Sequence, residues 1–155
     1  MSKRVVNEQI GIFGELPVFD TGEYVFIADY LPYVSGDGME HRNSTILTST
    51  RSLKSGAVRN LGTVSHEFVH AWNVERIRPV TLEPFNFEGA NMSDALWFAE
   101  GFTSYYTPLA IHRAGLTSID NFIRSYSNGL NYVVNSPGRQ FLGPVEMSMQ
   151  APFVD

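Results

Sequence analysis

Between residues 59 and 74 the apolar positions Leu61, Val64, Phe68 and Ala71 recur at helical spacing, so the pattern predicts a helix there. Pro79 and Pro84 then enforce a loop. A second helical stretch opens near Asn91 or Ser93, either of which can cap it. It runs through Trp97 and Glu100 towards Tyr106, with Pro108 expected to break or kink it and Gly115 to stop it. Ile119, Phe122, Ile123, Tyr126 and Leu130 stripe a third helix over residues 118–133, which assigns Tyr126 and Tyr132 to the core. Residues 135–138, Asn-Ser-Pro-Gly, form a turn.

Ahead of these helices, residues 5–13 read as a short helix ended by Gly14 and Pro17. Residues 23–30 and 44–49 are rich in β-formers and read as strands, separated by a glycine-punctuated loop over 35–38. Beyond Gly138 there is no clear periodicity, and Pro144 and Pro152 predict an irregular tail without a closing element. Strands early and helices late give an α+β plan. One domain is expected, strand-rich over about 1–58 and helical over about 59–155.

The 155 residues suffice for one core, and an apolar fraction of 43% is ordinary for a globular chain. A net charge of −5 argues against nucleic acid as a partner, because phosphates require a basic face. No segment reaches the length of a membrane span, and no apolar run follows Met1 to make a signal peptide. Compartment and oligomeric state stay open. The absence of cysteine excludes disulfides and thiolate ligands, so a metal here needs His and carboxylate donors.

His66-Glu67-Phe68-Val69-His70 is an HExxH motif. Residues i and i+4 lie one turn apart on a helix face, so two imidazoles can grip one small cation. Glu67, rotated by about 100° from His66, is poorly placed to chelate the same ion. It can instead take a proton from a water that the ion polarises. By chance HExxH arises in about 1% or fewer of chains of this length, and its bland reading is a partly exposed helix with two ordinary histidines. A third protein ligand is therefore required. Downstream candidates are Glu75, Glu83, Glu88, Asp94, Glu100, Asp120, Glu146 and Asp155. Glu75 follows His70 too closely, and Glu83 and Glu88 fall in or near the proline loop. Glu100 stands among Trp97, Phe98, Phe102 and Tyr105, where a carboxylate needs a strong partner to offset its desolvation. Together with HExxH it is the favoured ligand; alone it would read as an exposed helix glutamate.

The stretch Leu-Trp-Phe-Ala-Glu-Gly-Phe-Thr-Ser-Tyr-Tyr at 96–106, with His-Glu-Phe-Val-His-Ala-Trp-Asn-Val-Glu-Arg-Ile-Arg-Pro at 66–79, resembles the glycyl aminopeptidase family of zinc peptidases. The resemblance continues at Phe13 to Pro17, Gly38 to His41, Arg113 to Leu116 and Pro137 to Arg139, and so covers nearly the whole chain. It implies a thermolysin-like zincin catalytic domain, Zn2+ held by His66, His70 and Glu100, and Glu67 as general base. Gly38-Met39-Glu40-His41 resembles the Gly-x-Met-Glu-Asn segment of a sister group of zinc aminopeptidases. That likeness implies substrate binding at Gly38, Met39 and Glu40, with Glu40 meeting the free α-amino group. Glu75 departs from the Lys expected in that pattern, a change of surface charge.

The implied activity is removal of N-terminal residues, small ones such as Gly or Ala, from peptides or proteins. Family members also carry an N-terminal β-rich domain and a C-terminal PDZ domain, neither of which is in this sequence, and an oxyanion-stabilising Tyr is expected shortly beyond Asp155. The expectation is thus an incomplete catalytic domain. Two rivals remain: a zinc-binding fragment or interaction module that does not turn over, and an endopeptidase of the same clan in which Glu40 binds no amine. Arg76 and Arg78 are candidate anchors for a substrate carboxylate, though such arginines more often meet helix carbonyls. His41 is structural or touches substrate, and His112 reads as a cation at a helix C-terminus.

Overall fold

The computed structural model describes residues 1–154. In chain order it contains α1 (Ser2–Phe13), β1 (Val25–Asp29), β2 (Asp37–His41), β3 (Ser44–Thr48), α2 (Leu53–Val69), α3 (Leu96–Arg113), α4 (Ile119–Asn135) and α5 (Pro144–Val154). This is a mixed α and β architecture, as the pattern predicts. α1 starts three residues earlier than its apolar pattern suggests and stops at Gly14, whose φ of 90° is open to glycine at little cost.

The three strands form one sheet in the order β1-β3-β2. β1 runs parallel to β3, pairing Val25 with Ser44, and β2 runs antiparallel to it, pairing Glu40 with Thr45 and Gly38 with Leu47. β2 is an edge strand where the sequence reads as a loop. Its alternation is weak because only Met39 is a large apolar residue, so its strand character comes from pairing with β3. Thr45 and Leu47 of β3 turn inward and Ile46 outward, the period of two expected of a half-buried strand.

α2 crosses behind the sheet. It begins at Leu53, six residues before the expected start at 59, because Ser52 caps it by accepting from the Ser55 N–H. It ends at Val69, with His70 as C-cap, rather than at 74. Ala71 and Trp72 keep the apolar rhythm through the turn that follows, which is why the pattern reads longer than the helix. Leu61 and Val64 join Val5, Leu47, Ala110 and Ile111 in one apolar cluster. Phe68, Ala71 and Trp72 form a second, covered by Val6, Phe13, Phe19, Tyr24 and Phe26. Phe13 stacks on Trp72 with ring centroids 4.4 Å apart.

α3 packs along α2 and α1. It starts at Leu96, later than the Asn91 or Ser93 expected, and its first turn is closed from afar: Ser148 Oγ of α5 accepts from the Trp97 N–H at 2.9 Å. Pro108 lies inside α3 without ending it, and the helix stops at Ala114 with Gly115 at φ 67°. Packing against four other helices sustains α3 despite the N–H that Pro108 lacks.

Two further expectations are corrected. The segment after Gly138 is not irregular: a 3-10 turn at Pro137–Gln140 leads into α5, which packs on α3. Pro144 opens that helix, a position where proline is tolerated, and its apolar residues do not form a stripe that periodicity would reveal. Tyr132 is not a core residue; it is 77% exposed, as are many apolar residues of α4 to a lesser degree. Tyr126 instead donates its hydroxyl to the Tyr105 carbonyl.

Candidate metal centre

α2 delivers His66 and His70 to one face, with ring centroids 4.8 Å apart. α3 delivers Glu100 opposite them. His66 Nε2 lies 3.2 Å from Glu100 Oε2, and His70 Nε2 lies 3.6 Å from Glu100 Oε1. The carboxylate thus bridges two imidazoles that meet it through the same ring atom. A tetrahedral ion with bonds of about 2.0–2.2 Å separates its ligand atoms by about 3.4 Å, so the three donors already stand at the spacing one ion requires. They form one of two groups with metal-holding spacing among the described residues, the other being Glu40, Glu67 and His70.

The tautomer of His70 is set by its surroundings. Its Nδ1 lies 2.7 Å from the Asn73 carbonyl oxygen, which can only accept, so Nδ1 carries the proton and Nε2 presents its lone pair. Asn73 is buried and in turn fastens the end of α2 to α3. Its Nδ2 lies 3.1 Å from the Ala99 carbonyl, and within 3.3 Å of both the Phe98 carbonyl and Thr103 Oγ1. Neither Asn73 nor Thr103 stands out in the motif reading. The available signal is a lone amide amid Ala71, Trp72 and Val74, three residues past the second histidine.

Glu67 points the other way, towards the sheet. Burial pushes its carboxyl up to about 7; the His66 charge opposes this, and the charges of Glu40, Glu100 and Asp37 add to it. For His66, burial works to lower the imidazole, but the hydrogen bond and charge of Glu100, with Glu67 and Glu40, outweigh it and the net shift is upward. Glu100 is held below the usual carboxylate range, first by its hydrogen bond to His66, with the charges of His70 and His66 assisting against burial. Its side chain is 48% exposed, so the aromatic setting does not bury it: Trp97, Phe102 and Tyr105 are themselves partly exposed.

β2 forms the wall facing Glu67. Gly38 and Glu40 share its inner face, whereas Met39 lies on the opposite face and is 58% exposed, so the structure does not bring Met39 to the cluster. A cavity of about 330 Å3 opens between Gly36, Asp37 and Gly38 on one side and Gly62, Thr63, His66 and Glu67 on the other. A larger one of about 650 Å3, lined by Leu96, Trp97, Glu100, Met147 and Ser148 among others, lies between α3 and α5. The histidines and Glu100 sit between the two.

The arginines lie elsewhere. Arg76 donates to the carbonyls of Ala71, Arg42 and Val18, and Arg78 meets the Leu82 carbonyl and Glu83. His112 lies in the last turn of α3, with Nδ1 facing the Thr117 carbonyl at 3.2 Å and its ring stacked on Phe122.

Two histidines of an HExxH sequence facing a third, carboxylate donor form a set found in metallopeptidases. The family model described as M61 glycyl aminopeptidase matches residues 59–153, and the chain belongs to that family. It is similar in structure to an aminopeptidase N family protein from Idiomarina loihiensis, with a TM-score of 0.83 and 26% identity. That match covers 96% of this chain and 26% of the other, so the chain spans about a quarter of the length of this neighbour. Among curated proteins, none matches.

Proposed function

We propose that this chain is the thermolysin-like catalytic part of a zinc-dependent aminopeptidase, in which His66, His70 and Glu100 hold Zn2+. The observation that carries the reading is the facing of two imidazole Nε2 atoms, 3.2 and 3.6 Å away, onto the two oxygens of one carboxylate from another helix. Zinc, when bound, supplies Lewis-acid polarisation of a substrate carbonyl and lowers the pKa of water towards neutrality.

The protein's own groups do the rest. Glu67 takes a proton from the attacking water and returns it to the departing amine. Burial raises this carboxyl to about 7 in the metal-free protein, and the charge of a bound ion would lower it towards the ionised form that accepts a proton. The Asn73 carbonyl holds His70 in the tautomer that leaves Nε2 free, and Thr103 braces the Asn73 side-chain amide. β2 is an edge strand, so an extended peptide can lie along it and share its backbone hydrogen bonds. Glu40, grouped with Glu67 and His70, then meets the free α-amino group of the substrate, with Gly38 on the same face of the strand and Met39 on the other. The family likeness supports small N-terminal residues, Gly or Ala, as the preferred residues removed, each supplying the carbonyl of the scissile bond.

The test is Glu67→Gln with zinc present. The variant is expected to keep one zinc per chain by elemental analysis and to lose at least about 100-fold in kcat on Gly- or Ala-anilides. Near-normal turnover would overturn the mechanism, and equal turnover of free and N-blocked peptides would overturn the assignment as an aminopeptidase.

A further inference from the structure

We infer that Gly38 is a positioning residue for Glu67: β2 runs so close over α2 that only a residue without a side chain at 38 leaves room for the Glu67 carboxyl. A Cβ added to Gly38 would lie 2.2 Å from Glu67 Oε1, 2.5 Å from Cδ and 2.6 Å from Cγ. Its three nearest atoms all belong to that one side chain, and ordinary contact begins only near 3.4 Å.

Backbone conformation does not require glycine here. Gly38 is absent from the positive-φ glycines and pairs regularly with Leu47 in the sheet. Glycine is a weak strand former, and any residue with a Cβ would suit this strand better. The demand at this position is therefore for space, and the space is filled by Glu67. The Gly38 backbone is the wall against which the carboxyl rests, fixing how far it stands from the imidazoles on its own helix.

The clash runs along a flexible side chain, from its carboxyl oxygen back to Cγ. A methyl group at 38 is therefore accommodated by moving Glu67 by about 1 Å, while β2 and α2 keep their places. A displacement of about 1 Å in a reacting group is enough to cost on the order of 100-fold in rate. This inference rests on reading Glu67 as the proton acceptor. It differs from a role for Gly38 in touching substrate, since it acts through Glu67.

The experiment is Gly38→Ala, studied as structure and as enzyme. In a crystal structure of the metal-free variant, the backbones of β2 and α2 are expected to superimpose on the parent, with the Glu67 carboxyl displaced by about 1 Å or more. A Glu67 that stays in place while β2 lifts from α2 would overturn the inference, whatever the activity shows. With zinc, kcat is expected to fall by about 100-fold with KM little changed. A loss confined to KM would assign Gly38 to substrate binding instead. In a Glu67→Gln background, the further change Gly38→Ala is expected to cost little more in rate. A full additional loss there overturns the positioning role. Unimpaired turnover by Glu67→Gln alone would instead remove the base assignment and leave the structural result standing.

Discussion

The ring of His70 and the main chain of Asn73 meet at 2.7 Å inside the protein, at the point where α2 ends. This contact couples the helix terminus to the chemistry of the site. The chain turns at Ala71 to bring the Asn73 carbonyl back under the imidazole, and the Asn73 side chain then holds that turn against the carbonyls of α3. The third donor, Glu100, follows Phe98 and Ala99 directly, so one amide aligns both halves of the centre.

Asn73→Ala is expected to leave the His70 contact with the main chain but loosen its geometry. Loss of a buried hydrogen-bonding amide costs about 1–2 kcal/mol of stability. Outer partners of metal ligands are commonly worth about 10- to 100-fold in metal affinity. Urea melts and a competitive chelator titration would measure the two effects. Unchanged zinc affinity would show that Asn73 serves the fold alone.

For Glu67 the metal-free protein gives a test by pH. Its carboxyl moves from an ordinary 4.5 to about 7 on folding, so the native state holds a proton that the unfolded state has released. Between those values stability falls as pH rises, and the loss is complete above 7. Glu67→Gln carries no such loss. Allowing for relaxation around the site, the difference is about 2 kcal/mol, or about 4–8 °C in Tm for a chain of this size. Metal-free Glu67→Gln is therefore expected to melt higher than the parent at pH 8 and to match it near pH 4. A parent that melts at or above the variant at pH 8 would contradict the buried-carboxyl account.

Glu40 separates exopeptidase from endopeptidase. Removing the partner of a desolvated charge costs on the order of 100-fold in affinity. Glu40→Ala is expected to lower kcat/KM by that order on peptides with a free N-terminus and to leave N-acetylated ones unaffected. Equal losses on both would remove amine recognition from Glu40.

Ser148→Ala tests whether α5 belongs to the folded unit. The serine closes the first turn of α3 through the Trp97 N–H, and losing a cap costs about 1 kcal/mol. A drop in Tm of about 2–4 °C is expected. No change would show that α5 contributes nothing to the start of α3.

The sequence revealed most where one element's own residues decide its fate. Leu61, Val64 and Phe68 announce α2, Gly115 stops α3, and the spacing of His66, His70 and Glu100 points to residues that the structure brings together. It revealed least where a distant residue decides. α3 starts at Leu96 because Ser148 caps it from 51 positions away, which no local reading detects. β2 is a strand because β3 pairs with it. α5 has no stripe to betray it, and the stripe of α4 that looks like a core face is largely exposed. Gly38 reads locally as a loop residue, and its tight approach to Glu67 exists only in three dimensions.

Gln9 of α1 is fully buried, and its Nε2 donates to the Ser65 carbonyl at 2.7 Å and lies 2.9 Å from Ser65 Oγ, which donates in turn to the Thr107 carbonyl. Ser65 immediately precedes His66. The first helix, remote in sequence from every donor atom, is thereby riveted to the two helices that carry them. Local opening that frees α1 must also expose the segment bearing His66, so the amino-terminal turns and the helix of His66 open and close as one cooperative unit, protected from hydrogen exchange together.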